Sequence, residues 1–231
     1  MKKIVAILLA FALVLCASTA LAAGKLSMAQ ENYHTVSSLW SYGYGYAKLE
    51  NLGDKPIKVN AGVLEIYDEN GDVITSTDWL SDYACVLQPG EYTYASLRAE
   101  IEEGSAAPAD YSITITGKTD NSVSTLRLPC TTSLELGVES GWWTYNYMYA
   151  EVTNNTVAPL YDIAVVFALL DAEGNILYMA DDALYSERAL GPGSTMIFRK
   201  DIESGFMEYF AENNLVPTTV DAIAYVEIEN D

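Results

Sequence analysis

The chain has 231 residues, with 12 Lys and Arg against 32 Asp and Glu, and a formal net charge of −20. So few cations argue against nucleic acid and anionic lipid as partners, because a polyanion is held by clustered Lys and Arg that release its counterions. Half of the residues are hydrophobic, enough for a packed core, and the acidity reads as solubility.

In chain order, Lys2 and Lys3 precede an apolar run over residues 4–15, and Ala20, Leu21 and Ala22 follow. A charged start, an apolar run too short to span a bilayer and an A-x-A site are the parts of a secretory signal. Cleavage is expected after Ala22, residues 1–22 are set aside as a signal peptide, and a secreted or extracytoplasmic protein is expected. Lipidation at Cys16 is disfavoured because Leu15 precedes it. The longest later apolar stretch, residues 163–170, has the length of a buried strand, so no membrane span is expected in the mature chain. Cys85 and Cys130 remain, and an oxidising compartment makes a disulfide between them the expectation. Two cysteines and a single histidine do not make a zinc site, and neither metal nor cofactor is expected.

An internal repeat organises the rest. At a shift of 103 positions, Trp40, Tyr42, Tyr44, Tyr46 and Ala47 fall on Trp143, Tyr145, Tyr147, Tyr149 and Ala150. The register then holds through Asn51 on Asn154, Pro56 on Pro159, Asp68 and Gly71 on Asp171 and Gly174, and Pro89-Gly90 on Pro192-Gly193. A period of this length is that of a domain, so duplication is expected, with a first domain over residues 23–132 and a second over 133–231. Within each copy the pattern is period two. Aromatic residues alternate with small or polar ones, short apolar runs end at Gly-containing turns, and strands recur without helices between them. The expected fold is all-β, two tandem immunoglobulin-like β-sandwich domains. The exception is residues 204–215, where Phe206, Met207 and Phe210 stand at helical spacing behind a Ser cap. They predict a short helix before the last strand, its apolar face in the core.

The end of the second strand carries a motif. Leu64, Ile66, Tyr67 and Asp68, and Phe167, Leu169, Leu170 and Asp171, resemble the F-x-L-Y-D signature of FxLYD domains, with Leu64 in place of Phe and Leu170 in place of Tyr. The resemblance runs over residues 40–101 and 143–202. It implies an immunoglobulin-like sandwich in an exported bacterial protein, and brings no catalytic residues. The residues themselves account for the motif: alternate apolar side chains enter a core, and the aspartate opens a hairpin turn.

Catalytic chemistry finds little purchase. His34, the single histidine, has no nucleophile motif near it and reads as a surface residue. Glu102-Glu103 and Asp181-Asp182 read as solvated acidic faces. P-loop, dinucleotide and H-E-x-x-H motifs are missing from the sequence. Asp68 to Asp72 looks acidic enough for calcium, but Gly71 stands fourth and Trp79 twelfth, where an EF-hand needs glycine sixth and glutamate twelfth; a hairpin turn is expected. The expectation is a non-enzyme, an exported binding, interaction or structural module whose partner is a protein or a cell-envelope component. The alternative is carbohydrate or small-ligand binding on aromatic faces. The candidate binding residues are Trp40, Tyr42, Tyr44 and Tyr46 in one copy and Trp143, Tyr145, Tyr147 and Tyr149 in the other, with Trp142 beside them. Period two leaves open whether these ladders fill a core or face outward. The small opposite face of the first, Ser41, Gly43, Gly45 and Ala47, allows another layer to approach closely.

Overall fold

The period-two segments form antiparallel strands in four sheets, described for residues 24–37, 40–82, 86–185 and 188–230 by a computed structural model. Sheet 1 joins β3 (Ile57–Tyr67) to β8 (Asp110–Thr119) on one side and to β4 (Val73–Thr77) and β6 (Val86–Leu87) on the other. Sheet 2 has the order β1 (Leu26–Ser37), β2 (Ser41–Asn51), β7 (Tyr92–Ile101), β5 (Leu80–Asp82). Sheet 3 has the order β13 (Ile176–Leu184), β12 (Ile163–Leu170), β15 (Thr219–Glu229), β9 (Val123–Leu128). In sheet 4, β11 (Trp143–Thr153) lies between β10 (Cys130–Ser140) and β14 (Thr195–Asp201). One helix, α1 (Ser204–Glu212), precedes β15. The fold is all-β and sandwich-like.

Strand pairing repeats at the shift seen in the sequence. Tyr44 lies opposite Arg98 and Tyr147 opposite Asp201; Ile66 pairs with Thr75 and Leu169 with Tyr178. Even the short pairing of Ile57 with Leu87 returns as an isolated bridge between Leu160 and Leu190. The same side chains pin both turns. Asn51 Nδ2 donates to the carbonyls of Lys55 and Leu87 at 2.8 and 2.9 Å, and Asn154 Nδ2 to those of Ala158 and Leu190 at 2.8 Å each. Both asparagines are fully buried, so these bonds satisfy donors that burial would otherwise strand. Asp68 Oδ1 accepts from the N–H groups of Asn70 and Asp72, as Asp171 Oδ1 does from Glu173 and Asn175. Gly71 and Gly174 take up positive φ beside them. The hairpin reading of these acidic turns describes what the aspartates do.

The sheets stack in the order 1, 2, 3, 4. Leu64, Ile66 and Ile113 of sheet 1 pack on Leu97, Ala99 and Ile101 of sheet 2. Val165, Phe167 and Leu169 of sheet 3 pack on Met148, Ala150 and Val152 of sheet 4. A third cluster joins the two halves: Tyr46 and Tyr94 of sheet 2 with Val166, Ala168, Met179, Ile223 and Tyr225 of sheet 3. β12 is thus covered on both faces, which is why its run is almost wholly apolar. β3 is covered on one, and alternates.

Four details depart from the sequence reading. β1 and β10, too polar to stand out, pair along the ladder strands. β9 follows the first half in sequence but pairs with β15 in sheet 3. The helix forms over Phe206 and Phe210, both buried, but its N-cap is Glu203, with no side-chain capping bond, and Ser204 is already helical. Cys130 is a free thiol rather than half of a disulfide; Cys85 lies outside the described residues. Half-buried at the start of β10, the thiol packs against the sheet 3–sheet 4 core. It behaves there as a small apolar group, and burial, then the charge of Asp221, pushes its pKa up to about 11.

Candidate functional site

The facing of the first ladder follows from its glycines. A Cβ built on Gly43 would stand 2.3 Å from Ile66 Cδ1, and one on Gly45 3.0 Å from Ile113 Cδ1. Side chains of sheet 1 therefore rest directly on the backbone of β2, and the alternate tyrosines point away from sheet 1, toward the second half. Tyr46, 2% exposed, lies in the cluster between the halves. Tyr44 packs edge-on to Phe206 of α1 at 4.8 Å; Tyr42 lies under the Arg98 guanidinium at 4.8 Å; Trp40 ends the row in solvent.

Polar bonds tie the same contact. Tyr92 and Tyr94 hydroxyls donate to Asp221 Oδ2 at 2.9 and 2.6 Å. Burial and that carboxylate raise both phenols, Tyr92 to about 12. Gln30 and Asn32 of β1 donate to the carbonyls of Gly174 and Ile176. Arg127 of β9 donates to the Tyr92 carbonyl at 2.8 Å and lies 3.6 Å from Glu91. His34 belongs here too, contrary to its reading as a surface residue. It is 5% exposed, with Nε2 3.3 Å from the Ile176 carbonyl and Nδ1 3.4 Å from the Tyr209 hydroxyl. It sits on the β1 face that meets β13 and α1, where burial lowers its pKa below the usual imidazole range.

The second ladder has the same alternation and, among the described residues, no sheet covering it. Met148, Ala150 and Val152 point into the core, so Trp143, Tyr145, Tyr147 and Tyr149 lie on the outer face of sheet 4. Trp143 is 71% exposed and Trp142 almost wholly so; the three tyrosines are partly shielded by one another. The rings of Tyr145 and Tyr147 lie 5.7 Å apart and nearly parallel, at 6°. Arg199 stands 4.6 Å over Tyr147, and the Tyr149 hydroxyl donates to Glu135 at 3.0 Å. Exposed Ile197 extends the face along β14. Arg199 and Glu135 escaped the sequence reading because cross-strand neighbours are known only once β10 and β14 are in register.

Between the halves, beside the covered ladder, opens a cleft of about 340 Å³. Tyr44, Tyr46, Trp79, Ser81, Ser96 and Arg98 line it from sheet 2 and its β4–β5 connection. The stretch Tyr178 to Asp181 of β13, with Lys200, Glu203 and Phe206, lines the other side. Among the described residues, His, Cys, Asp and Glu form no cluster suited to a metal.

No protein-family model matches the chain, and no curated protein matches it in sequence. The functional reading therefore rests on the geometry.

Proposed function

We propose that the protein is an exported, non-catalytic interaction module, a duplicated immunoglobulin-like sandwich of the FxLYD kind, that docks a protein partner on the outer face of sheet 4. Export is supported by the charged start, apolar run and Ala22 site of the first residues, and the duplication by the shared register of the two halves. One observation carries the docking reading. Of two equivalent aromatic ladders, one is covered at its Tyr44–Tyr46 end by the other half of the protein, and the other, among the described residues, has no sheet against it.

The covered ladder indicates the chemistry of the occupant. Its Tyr46 ring, with Tyr44 at the edge, shares a cluster with Val166, Ala168 and Ile223, small or β-branched residues at the centre of sheet 3. The partner of the open ladder is accordingly a protein that offers a β-sheet face with such a centre. Exposed Trp and Tyr with an Arg among them are the side chains that anchor protein interfaces.

The test is binding of the purified mature protein to a panel of purified extracytoplasmic proteins with β-sandwich domains, and to a glycan array. Wild type is compared with the double variant Trp143→Ala, Tyr147→Ala. The reading expects a protein ligand and at least a roughly tenfold loss of affinity in the variant. Unchanged binding by a folded variant rules out the ladder face, and ladder-dependent glycan capture without a protein ligand replaces docking with carbohydrate recognition.

A further inference from the structure

We infer that the cleft between the halves is a binding site for a small zwitterion of the amino-acid class, a molecule with an ammonium, a carboxylate and an apolar side chain. The site is separate from the open ladder. It exists only because the halves are docked, since sheet 2 supplies one wall and β13, β14 and the start of α1 the other.

Its volume falls in the range of small-molecule sites, and the junction of two packed units is a common place for one. The floor is aromatic. Phe206 is buried between Tyr44 and Tyr178, edge-on to both, with centroids at 4.8 and 4.7 Å. Trp79 stands at the mouth, 71% exposed. Apolar side chains of a ligand have a surface to rest on, and its charges have partners above that surface.

Those partners have both signs. Arg98 and Lys200 line the cleft with Asp181 and Glu203. Arg98 and Lys200 are two of the few cations in a strongly acidic chain. Among the described residues no ion pair joins any of the four. Glu203 Oε1 is 3.5 Å from the Tyr178 hydroxyl, and Arg98 covers the Tyr42 ring from one side. A simple anion entering here meets two carboxylates, and a simple cation meets Arg98 and Lys200. An uncharged sugar can hydrogen-bond to these charges through its hydroxyls, but it brings no opposite charge and returns only part of the interaction energy they lose with solvent. A zwitterion gives its carboxylate to the cations and its ammonium to Glu203 and Asp181, and charge-assisted bonds of that kind are the strong ones.

The test is titration calorimetry on the full mature protein, with tryptophan fluorescence as a second readout. The probes are leucine and phenylalanine, their N-acetyl acids, their amides with a free amine, and their N-acetyl amides. The free amino acids should bind at submillimolar concentration, and each analogue lacking one or both charges roughly tenfold more weakly or worse. Arg98→Gln and Glu203→Gln, both at exposed positions, should each lower affinity for the free amino acid by a similar factor. The Arg98 variant should stop discriminating against the carboxylate-blocked probe. Trp143→Ala should change nothing, which keeps this result separate from that on the ladder. Absence of binding by both amino acids up to millimolar concentration overturns the inference. So does equal affinity for the N-acetyl amides.

Discussion

Trp40 to Tyr46 and Trp143 to Tyr149 are one sequence element in two environments. Each is a row of aromatic residues on one face of a central strand, and each turns away from the sheet that completes its own sandwich. The first meets sheet 3 and ends on the buried Tyr46; the second, among the described residues, has no sheet against it, and Tyr149, the counterpart of Tyr46, stays part-exposed. The halves are thus stacked head to tail, with the ladder face of one against the β12 face of the other. A contact between two different faces leaves one of each unused. The unused β12-type face, on β3, is polar: Glu65 stands where sheet 3 has Ala168. The unused ladder kept its aromatics. One free face has the composition of a solvated surface, the other that of a covered one.

The strongest way to break this comparison is to exchange the two residues that distinguish the β12-type faces. Ala168→Glu puts a carboxylate into the cluster under Tyr46 and Tyr94, where Ala168 is fully buried and stands opposite the carboxylate of Asp221. A loss of about 4 kcal/mol or more is expected, the penalty for an unpaired buried charge. Glu65→Ala, at the matching position of the open face, should cost about 0.5 kcal/mol, chiefly through the Tyr67 hydroxyl that Glu65 accepts at 2.8 Å. Urea unfolding followed by circular dichroism measures both. Equal effects would mean that sheets 2 and 3 do not pack as described.

A second exchange compares the ladders themselves. Tyr46→Ala empties a buried site between the halves and should cost about 3–4 kcal/mol. Tyr149→Ala, its counterpart 103 residues on, removes a ring from an open face and one exposed bond to Glu135, and should cost less than about 1 kcal/mol. Similar losses would show that the second ladder, too, is covered in the folded protein.

The sequence made the strands, turns and repeat legible because they are local or self-referential: alternation, Asp and Gly in turns, and a register held through Trp, Asn and Pro. The facing of the ladders was not, because alternation says which residues share a face and not what lies against it. A usable signal was present elsewhere. β12 is apolar at every position from Ile163 to Leu170, while β3 interrupts its run with Lys58, Asn60 and Glu65. A strand with two apolar faces needs two covers, and the only unassigned aromatic face of suitable length was a ladder. Asp221 and Arg127 were illegible for another reason: each bonds residues far away in the chain, and β9 joins the sheet of the second half. Cys130 misled because a compartment argument fixes whether thiols can pair, not whether they do.

The smallest effect is also the most selective, since it belongs to the covered ladder alone. His34 is the chain's single histidine, held between β1, β13 and α1 with the rings of Tyr46, Tyr209 and Phe210 around it. Burial lowers its pKa in the folded state from the ordinary 6.5, so the unfolded chain binds its proton first as pH falls. Stability is then undiminished above about pH 6.5 and declines below it, through the window between the unfolded and the folded value, with a slope of at most about 1.4 kcal/mol per pH unit for one proton. Carboxylates titrating at lower pH are common to wild type and His34→Gln and drop out of the difference between them. The melting-temperature gap between the two proteins should therefore be constant from pH 8 to about 7 and shift against wild type from there to about pH 5. Tyr147→Ala should leave that shift unchanged, because the open ladder has no histidine against it. Parallel melting curves for wild type and His34→Gln across the whole range would place His34 in solvent and remove it from the contact between the halves.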